Sequence, residues 1–414
     1  MLISRSPLAL SVTLAVTVAA SAFPLLSHAA FVDDAKVSLN LRNFYINRNF
    51  VDSAATQNRA EEWTQSFILN AQSGFTDGTV GFGLDVLGLT AIKLQGGKGT
   101  AGTGLLPVHH DGPSNNYGRL AVAGKTKLSK TELKAGEWVT ALPILRSDDG
   151  RSLPQTFQGA QLTSNEFSGL SLYGGQFRKN SPRDSASMDK MSYAGARSDR
   201  FNFAGGEYTF NEKRAQAGIW YAELKDVYQQ QYYNLRLSQP TGDWVLAANL
   251  GYFTGKDNGS ARAGKLDNKT VSGLFSAQYA SHTFYLGLQK VNGNNGWMRV
   301  NGTSGGSLAN DSFNNSYDNA KERSWQVRHD FNFTDLGVPG LTMMNRYISG
   351  DNVHTATTKS GKEWGRESEL AYTVQNGMLK SLNIKWRNSS LRQNFAQRDL
   401  DENRIIFNYP LSIL

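Results

Sequence analysis

The chain has 414 residues and a formal net charge of +8, from 43 lysines and arginines against 35 acids. Only 19% of residues are charged, glycine is abundant (41), proline scarce (10), and 8 Trp, 16 Tyr and 21 Phe give a high aromatic content. This mixture excludes a disordered chain, which is poor in aromatics, and disfavours a helical one, where glycine is destabilising. The absence of cysteine removes disulfide scaffolds, thiol catalysis, Fe–S clusters and cysteine-ligated zinc. Mean hydropathy is negative, which excludes a bundle of membrane-spanning helices.

The one long apolar stretch is at the start. Arg5 precedes the apolar run Pro7–Leu26, and Ser27-His28-Ala29 supplies small residues at the positions a signal peptidase reads. Residues 1–29 therefore read as an export signal, cleaved after Ala29 or Ala30, with an uncleaved anchor as the alternative. Residues 30–414 form one domain without a linker seam.

Along that domain apolar residues recur with period two. Val80, Phe82, Leu84 and Val86 alternate with Thr79, Gly81, Gly83 and Asp85. Trp325, Val327, Phe331 and Phe333 share one parity; so do Leu382, Ile384 and Trp386, and Ile405, Phe407, Tyr409, Leu411 and Ile413. This is the pattern of strands with one apolar and one polar face. In the first run, Val37, Leu39 and Leu41 oppose Ser38, Asn40 and Arg42, but Phe44-Tyr45-Ile46 blurs the alternation.

Turn chemistry separates the runs. Asn376-Gly377 predicts a hairpin, and Thr241-Gly242-Asp243 and Asn211-Glu212-Lys213 predict turns. Two longer segments, 255–268 and 292–319, are polar and read as loops. Short turns alternating with long polar loops is the layout of an outer-membrane barrel. A soluble sandwich would need several domains, and a solenoid would need a repeat that the chain lacks. At roughly 21 residues per strand and connection, the domain yields about 18 strands, with Trp and Tyr in girdles and no core of large side chains. The fold class is thus all-β, a transmembrane antiparallel barrel.

The second parity then borders water. It carries Arg119, Lys125, Lys127, Arg328, Lys385, Arg387 and Arg404, against fewer acids, of which Asp85 and Asp330 are the clearest. Rings of basic residues favour anions, and an arginine fork grips a carboxylate with two bonds. Leu142–Gly159 breaks the alternation. Its prolines, Pro143 and Pro154, exclude a central strand, and its charges are Arg146, Asp148, Asp149 and Arg151. Such a segment can fold into a lumen and narrow it, or remain an external loop.

Other motifs carry little. Gly97-Lys98-Gly99-Thr100-Ala101-Gly102 matches a dinucleotide fingerprint, but no helix follows. Gly124-Lys125-Thr126 lacks the first glycine of a P-loop. His109-His110-Asp111 has no third ligand at metal spacing. No nucleophile elbow marks a hydrolase, and the basic charge is not clustered as nucleic-acid binding requires. No cofactor is expected.

Several ordered stretches resemble the OprD-type substrate-specific outer-membrane porins of pseudomonads. They are Leu41-Arg42-Asn43-Phe44-Tyr45-Ile46-Asn47-Arg48, residues 73–85 (SGFTDGTVGFGLD), Leu153-Pro154-Gln155-Thr156-Phe157, Ser324-Trp325-Gln326-Val327-Arg328, Gly337-Val338-Pro339-Gly340-Leu341 and Tyr409-Pro410-Leu411-Ser412-Ile413-Leu414. The resemblance covers the whole mature chain. It implies an 18-stranded monomeric barrel that can pack as a homotrimer, set in outer-membrane lipid and lipopolysaccharide. It also implies an inward-folded constriction loop and a basic ladder that guides small carboxylate solutes. Carried over residue by residue, the loop is Asp148-Asp149-Gly150-Arg151 with the following Leu153-Pro154-Gln155-Thr156-Phe157, and the ladder is Arg48, Arg151, Arg328, Lys385 and Arg387, with Arg392 beyond. Arg59 is a weaker carry-over. Gln176 stands where relatives often have arginine, so one rung is expected to be missing. The loop and Gly361-Lys362-Glu363-Trp364 are similar to the branch favouring aromatic or cyclic carboxylates, so benzoate- or vanillate-like monocarboxylates are the expected solutes. An amino-acid- or peptide-selective channel, a general porin and an outer-membrane hydrolase are the alternatives.

Overall fold

The structure is a computed structural model and describes residues 28–52 and 55–414. The expected export signal lies outside the described residues as far as residue 27; a short helix, His28–Asp33, follows. Beyond it, period-two alternation is realised as long strands. They are β1 (Lys36–Phe50), β2 (Arg59–Gln72), β3 (Val80–Gln95), β4 (Asn116–Leu128), β5 (Thr131–Trp138) and β6 (Thr156–Ser164). Next come β7 (Leu170–Ser181), β8 (Phe201–Phe210), β9 (Ala215–Leu224), β10 (Tyr228–Thr241), β11 (Trp244–Asp257) and β12 (Asp267–Tyr279). The last six are β13 (His282–Gly293), β14 (Arg323–Asn332), β15 (Leu341–Val353), β16 (Gly361–Thr373), β17 (Asn383–Gln393) and β18 (Leu400–Ser412).

These form one 18-stranded sheet in which each strand pairs antiparallel with its neighbours in sequence. The sheet closes on itself: in β1, Tyr45 sits opposite Trp63 of β2 and Ile405 of β18. Closure leaves no unpaired edge, which is the condition for strands to cross a bilayer.

The connections differ at the two ends. Beside the termini they are short, such as 129–130, 211–214, 242–243 and 280–281; at the other end run 96–115, 139–155, 182–200 and 294–322. By the rule for such barrels, the short turns are periplasmic and the long loops extracellular. Gly242 takes φ 60° in its turn, and Asn211, Glu212 and Lys213 all take positive φ. The Asn376-Gly377 hairpin forms, but over a longer connection, 374–382, with Gly377 at φ 79°.

Parity assigns the two faces. Leu120 is 66% exposed beside Ala121 at 1%, and Ile219 is 63% exposed beside Trp220 at 1%. The exposed set forms the apolar outer band. Tyr45 and Trp63, and Trp325, Tyr347 and Trp364, meet near its extracellular edge; Trp244 and Tyr279 meet near the periplasmic edge. Amphipathic rings favour these interfacial positions.

One expectation is corrected here. The lumen does hold large apolar side chains, in two clusters. One joins Phe157, Phe177, Phe203, Trp220, Tyr232 and Phe253 of the wall to Leu142, Leu145, Trp297, Met298 and Leu308 of the loops. The other joins Phe44, Ile46, Ile68 and Leu89 to Leu105, Leu106 and Leu153. Loops that bury their own apolar residues against the inner wall replace water there. This explains the blurred stretch: Phe44 and Ile46 face inward because Leu105, Leu106 and Leu153 cover them.

Candidate functional site

The segment 139–155 folds into the lumen and is tied to the wall by named contacts. Arg42 of β1 grips Asp149 in a two-pronged pair, at 2.7 Å and 3.2 Å, and donates to the Arg151 carbonyl at 2.8 Å. Ser152 meets Thr64 of β2 at 2.8 Å, Arg119 of β4 donates to the Pro154 carbonyl, and Arg183 pairs with Asp148. Arg119 is thus a tie for the loop rather than a free lumenal charge.

A second loop crosses from elsewhere. Residues 294–322, read as a polar loop from composition, also fold inward. The Phe313 amide donates to Glu367 of β16 at 2.9 Å, Asn314 donates to Ser389 of β17 at 2.8 Å, and Arg346 of β15 donates to the Asp311 carbonyl at 3.0 Å. The Phe313 ring faces three guanidiniums: Arg387 at 4.2 Å, Arg346 at 5.1 Å and Arg404 at 5.7 Å from its centroid. No period marks Phe313 in a run of Asn, Ser and Gly, so nothing in the sequence singles it out.

Between the two loops and the wall of β1, β17 and β18 lies a cavity of about 1160 Å³. Its lining includes Arg48, Arg151, Arg183, Arg299, Arg387, Arg398 and Arg404, set against Asp148, Asp149, Asp184, Asp311 and Asp318. A smaller cavity of about 680 Å³ near the periplasmic turns is lined by Arg328, Asp330 and Glu369. Arg387 of the first cavity bonds to Glu369 of the second, so this pair marks their boundary.

The expected site residues divide accordingly. Arg48, Asp148, Asp149, Arg151 and Arg387 come together in the larger cavity. Arg328 lines the smaller one, bound through two nitrogens to Asp330 and set 4.7 Å over the Tyr285 ring. Lys385 has the inward parity, between Ala371 and Ile406, but lines neither cavity. Arg59 pairs with Glu61 at the extracellular end of β2.

Two expectations fail. Arg392 lies on the outer face: it sits 5.8 Å from the ring of outward-facing Trp364 and pairs with Asp401 at 2.9 Å. Its position is even while the inward residues of β17 are odd, so it cannot continue the row of Arg387. Gln176 likewise points outward, since the adjacent Phe177 is fully buried inside, and it donates to Asn202 at 2.7 Å. No lumenal rung is lost there.

The lumen holds more acids than the alternation predicts. Glu367, Glu369 and Glu402 also face inward and anchor the arginines. Glu402 accepts from Arg48 at 2.6 Å and from Arg404 at 2.5 Å, and Arg346 bonds to Glu367 at 2.7 Å. Each anchor uses only part of a guanidinium. The Nη1 atoms of Arg48 and Arg404 and the Nη2 of Arg151 have no protein hydrogen-bond partner among the described residues. Glu402 thus fixes the forks of Arg48 and Arg404, the Thr103 and Gly150 carbonyls fix that of Arg151, and each of these cavity-lining forks keeps a free donor. Burial, followed by repulsion from Arg404 and Arg183, holds the Arg151 pKa well below the ordinary arginine range. An anion beside it relieves that strain. Burial likewise raises the Asp311 carboxyl to about 6, despite its bond from Ser316 and the nearby Arg299 and Arg346. No group of three or more candidate metal ligands occurs among the described residues.

Comparison with known proteins agrees with this architecture. A family model described as "outer membrane porin, OprD family" matches residues 29–413. The chain is 63% identical to the porin-like protein GalP of Pseudomonas putida, over 95% of this chain and 96% of that protein. It is 36% identical to porin D of Pseudomonas aeruginosa, over 93% and 92%. Among solved structures it resembles a BenF-like porin from Pseudomonas fluorescens, at TM-score 0.92 and 66% identity, covering 92% of this chain and all of that one. It resembles OccK2 of Pseudomonas aeruginosa, solved in complex with glucuronate, at TM-score 0.86 and 61% identity, over 93% of this chain and all of that one. It resembles OpdK of the same species, solved with vanillate, at TM-score 0.88 and 50% identity, over 92% and 100%. The chain belongs to the OprD family of outer-membrane porins, non-enzymatic channels of the outer membrane.

Proposed function

We propose that this porin passes small carboxylate-bearing solutes by passive diffusion, and that benzoate- or vanillate-like aromatic monocarboxylates are favoured. The carrying observation is the group Arg48, Arg151, Arg387 and Arg404, which lines one cavity beside the Phe313 ring, with donors on Arg48, Arg151 and Arg404 left open. A planar carboxylate can take two bonds from such forks, and a ring can lie along the aromatic wall. The glucuronate and vanillate in two related structures both carry a carboxylate, which supports the solute class. In this reading Asp148 and Asp149 position the constriction, and Arg328 and Lys385 extend the basic path towards the periplasm. We also propose that residues 1–29 are removed on export.

Single-channel recording tests the reading. Millimolar benzoate should produce transient current blockades that shorten when Arg151 is changed to alanine. A steady conductance unaffected by benzoate would instead indicate a general porin.

A further inference from the structure

We propose that the outer wall of the barrel carries a binding site for the phosphate groups of an acylated glycolipid in the outer leaflet, formed by Lys269, Lys290 and Arg323. These residues lie on three consecutive strands, β12, β13 and β14, at their extracellular ends. Lys290 is directly opposite Arg323, and Val271 is opposite Lys290, which puts Lys269 on the adjoining diagonal. All three are exposed and have the outward parity. Directly opposed residues on a sheet stand about 5 Å apart and diagonal ones about 7–8 Å, and like charges so placed repel.

The repulsion is only partly compensated. Arg323 pairs with Asp351 at 2.9 Å, with the two side chains 59% and 50% exposed. The side chains of Lys269 and Lys290 make no hydrogen bond or ion pair among the described residues. One step towards the periplasm, Leu288 faces Trp325 across the same strand pair, both exposed, beside Val271. The cations therefore stand at the upper edge of the apolar band, where a headgroup phosphate sits when its acyl chains lie along Leu288 and Val271. Charge complementarity and depth together select an anionic lipid. Each lysine near such a surface contributes modestly, and neighbouring donors on one phosphate act together.

The test is native mass spectrometry of the detergent-solubilised barrel. The probes are a hexa-acylated, bisphosphorylated glucosamine disaccharide lipid and its dephosphorylated counterpart. The wild-type barrel should hold the phosphorylated lipid at least tenfold more tightly. Combining Lys269→Gln with Lys290→Gln should abolish that preference, and Lys269→Arg with Lys290→Arg should keep it. Unchanged single-channel conductance and heat-modifiable gel mobility show that a variant has folded, and Lys213→Gln combined with Arg214→Gln, both in a periplasmic turn, serves as a charge-matched control. Equal binding of the two lipids, or an undiminished preference in the glutamine variant, would overturn the proposal. So would displacement of the lipid by inorganic phosphate, which would mark a free-anion site.

Discussion

The Arg387 guanidinium lies 4.2 Å from the centroid of the Phe313 ring, joining the wall of β17 to a loop that connects β13 and β14. Arg346 and Arg404 flank the same ring; the Phe313 backbone bonds to Glu367 and Arg404, and the Asn314 side chain donates to Ser389. The ring therefore helps to set the aim of the arginines that line the cavity.

Changing Phe313 to alanine removes a surface worth about 0.5–2 kcal/mol per cation contact. The expected outcome is a larger conductance with weaker benzoate blockade, by several-fold. A variant with wild-type conductance and blockade would show that the ring does not position the arginines.

Glu402 holds both Arg48 and Arg404, and its side chain is 1% exposed, as against 2% for Arg404. Glu402→Gln leaves two buried cations without their carboxylate. Breaking such a buried pair costs about 3–5 kcal/mol. The barrel should lose its heat-resistant gel mobility at a clearly lower temperature than wild type. By contrast Glu212→Gln, in a turn with its carboxylate 81% exposed, should move that transition little. A wild-type transition in Glu402→Gln would contradict the anchoring role.

Much of this was readable in advance, and the failures have local causes. Alternation gave the closed barrel and the inward parity of Arg328, Lys385, Arg387 and Arg404, because a lipid face tolerates few polar residues. It failed at Phe44 and Ile46, where folded-in loops make part of the inner wall apolar. Arg346 was missed for the same reason, since its parity mates Met344 and Ile348 are apolar and buried. Arg392 and Gln176 were misassigned by motif position, although counting from Arg387 and Phe177 places both outside. The inward course of 294–322 had no periodic signal; Trp297, Met298 and Tyr317, apolar residues in a polar loop, were the available clue.

The Asp311 carboxyl, raised to about 6, predicts a pH effect on selectivity. Above pH 6 it is ionised and offsets a nearby arginine; as pH falls through 6 it is neutralised and the cavity becomes more cationic. Anion preference, read as a reversal potential in a salt gradient, should rise between pH 7 and pH 5. In Asp311→Asn that step should be absent, with the variant resembling low-pH wild type throughout. An equal step in the variant would assign the effect to another group.

Arg328 and Asp330 form a compensated pair, so their single variants should act in opposite directions. Arg328→Ala leaves Asp330 exposed to the smaller cavity and should reduce anion preference; Asp330→Asn frees the cation and should increase it. Both shifts should shrink at high salt, since the Debye length falls from ~10 Å at 0.1 M to ~3 Å at 1 M. Shifts of the same sign would refute the pairing.

The most direct measurement is uptake into liposomes containing the purified barrel, comparing benzoate, vanillate, glucuronate and arginine at equal gradients. The account predicts that the three carboxylates without a cationic group enter faster than arginine, with benzoate and vanillate ahead. It also predicts that the advantage falls when Arg48 and Arg151 are both replaced by alanine. Equal entry of all four solutes, or an advantage untouched by those replacements, would contradict it.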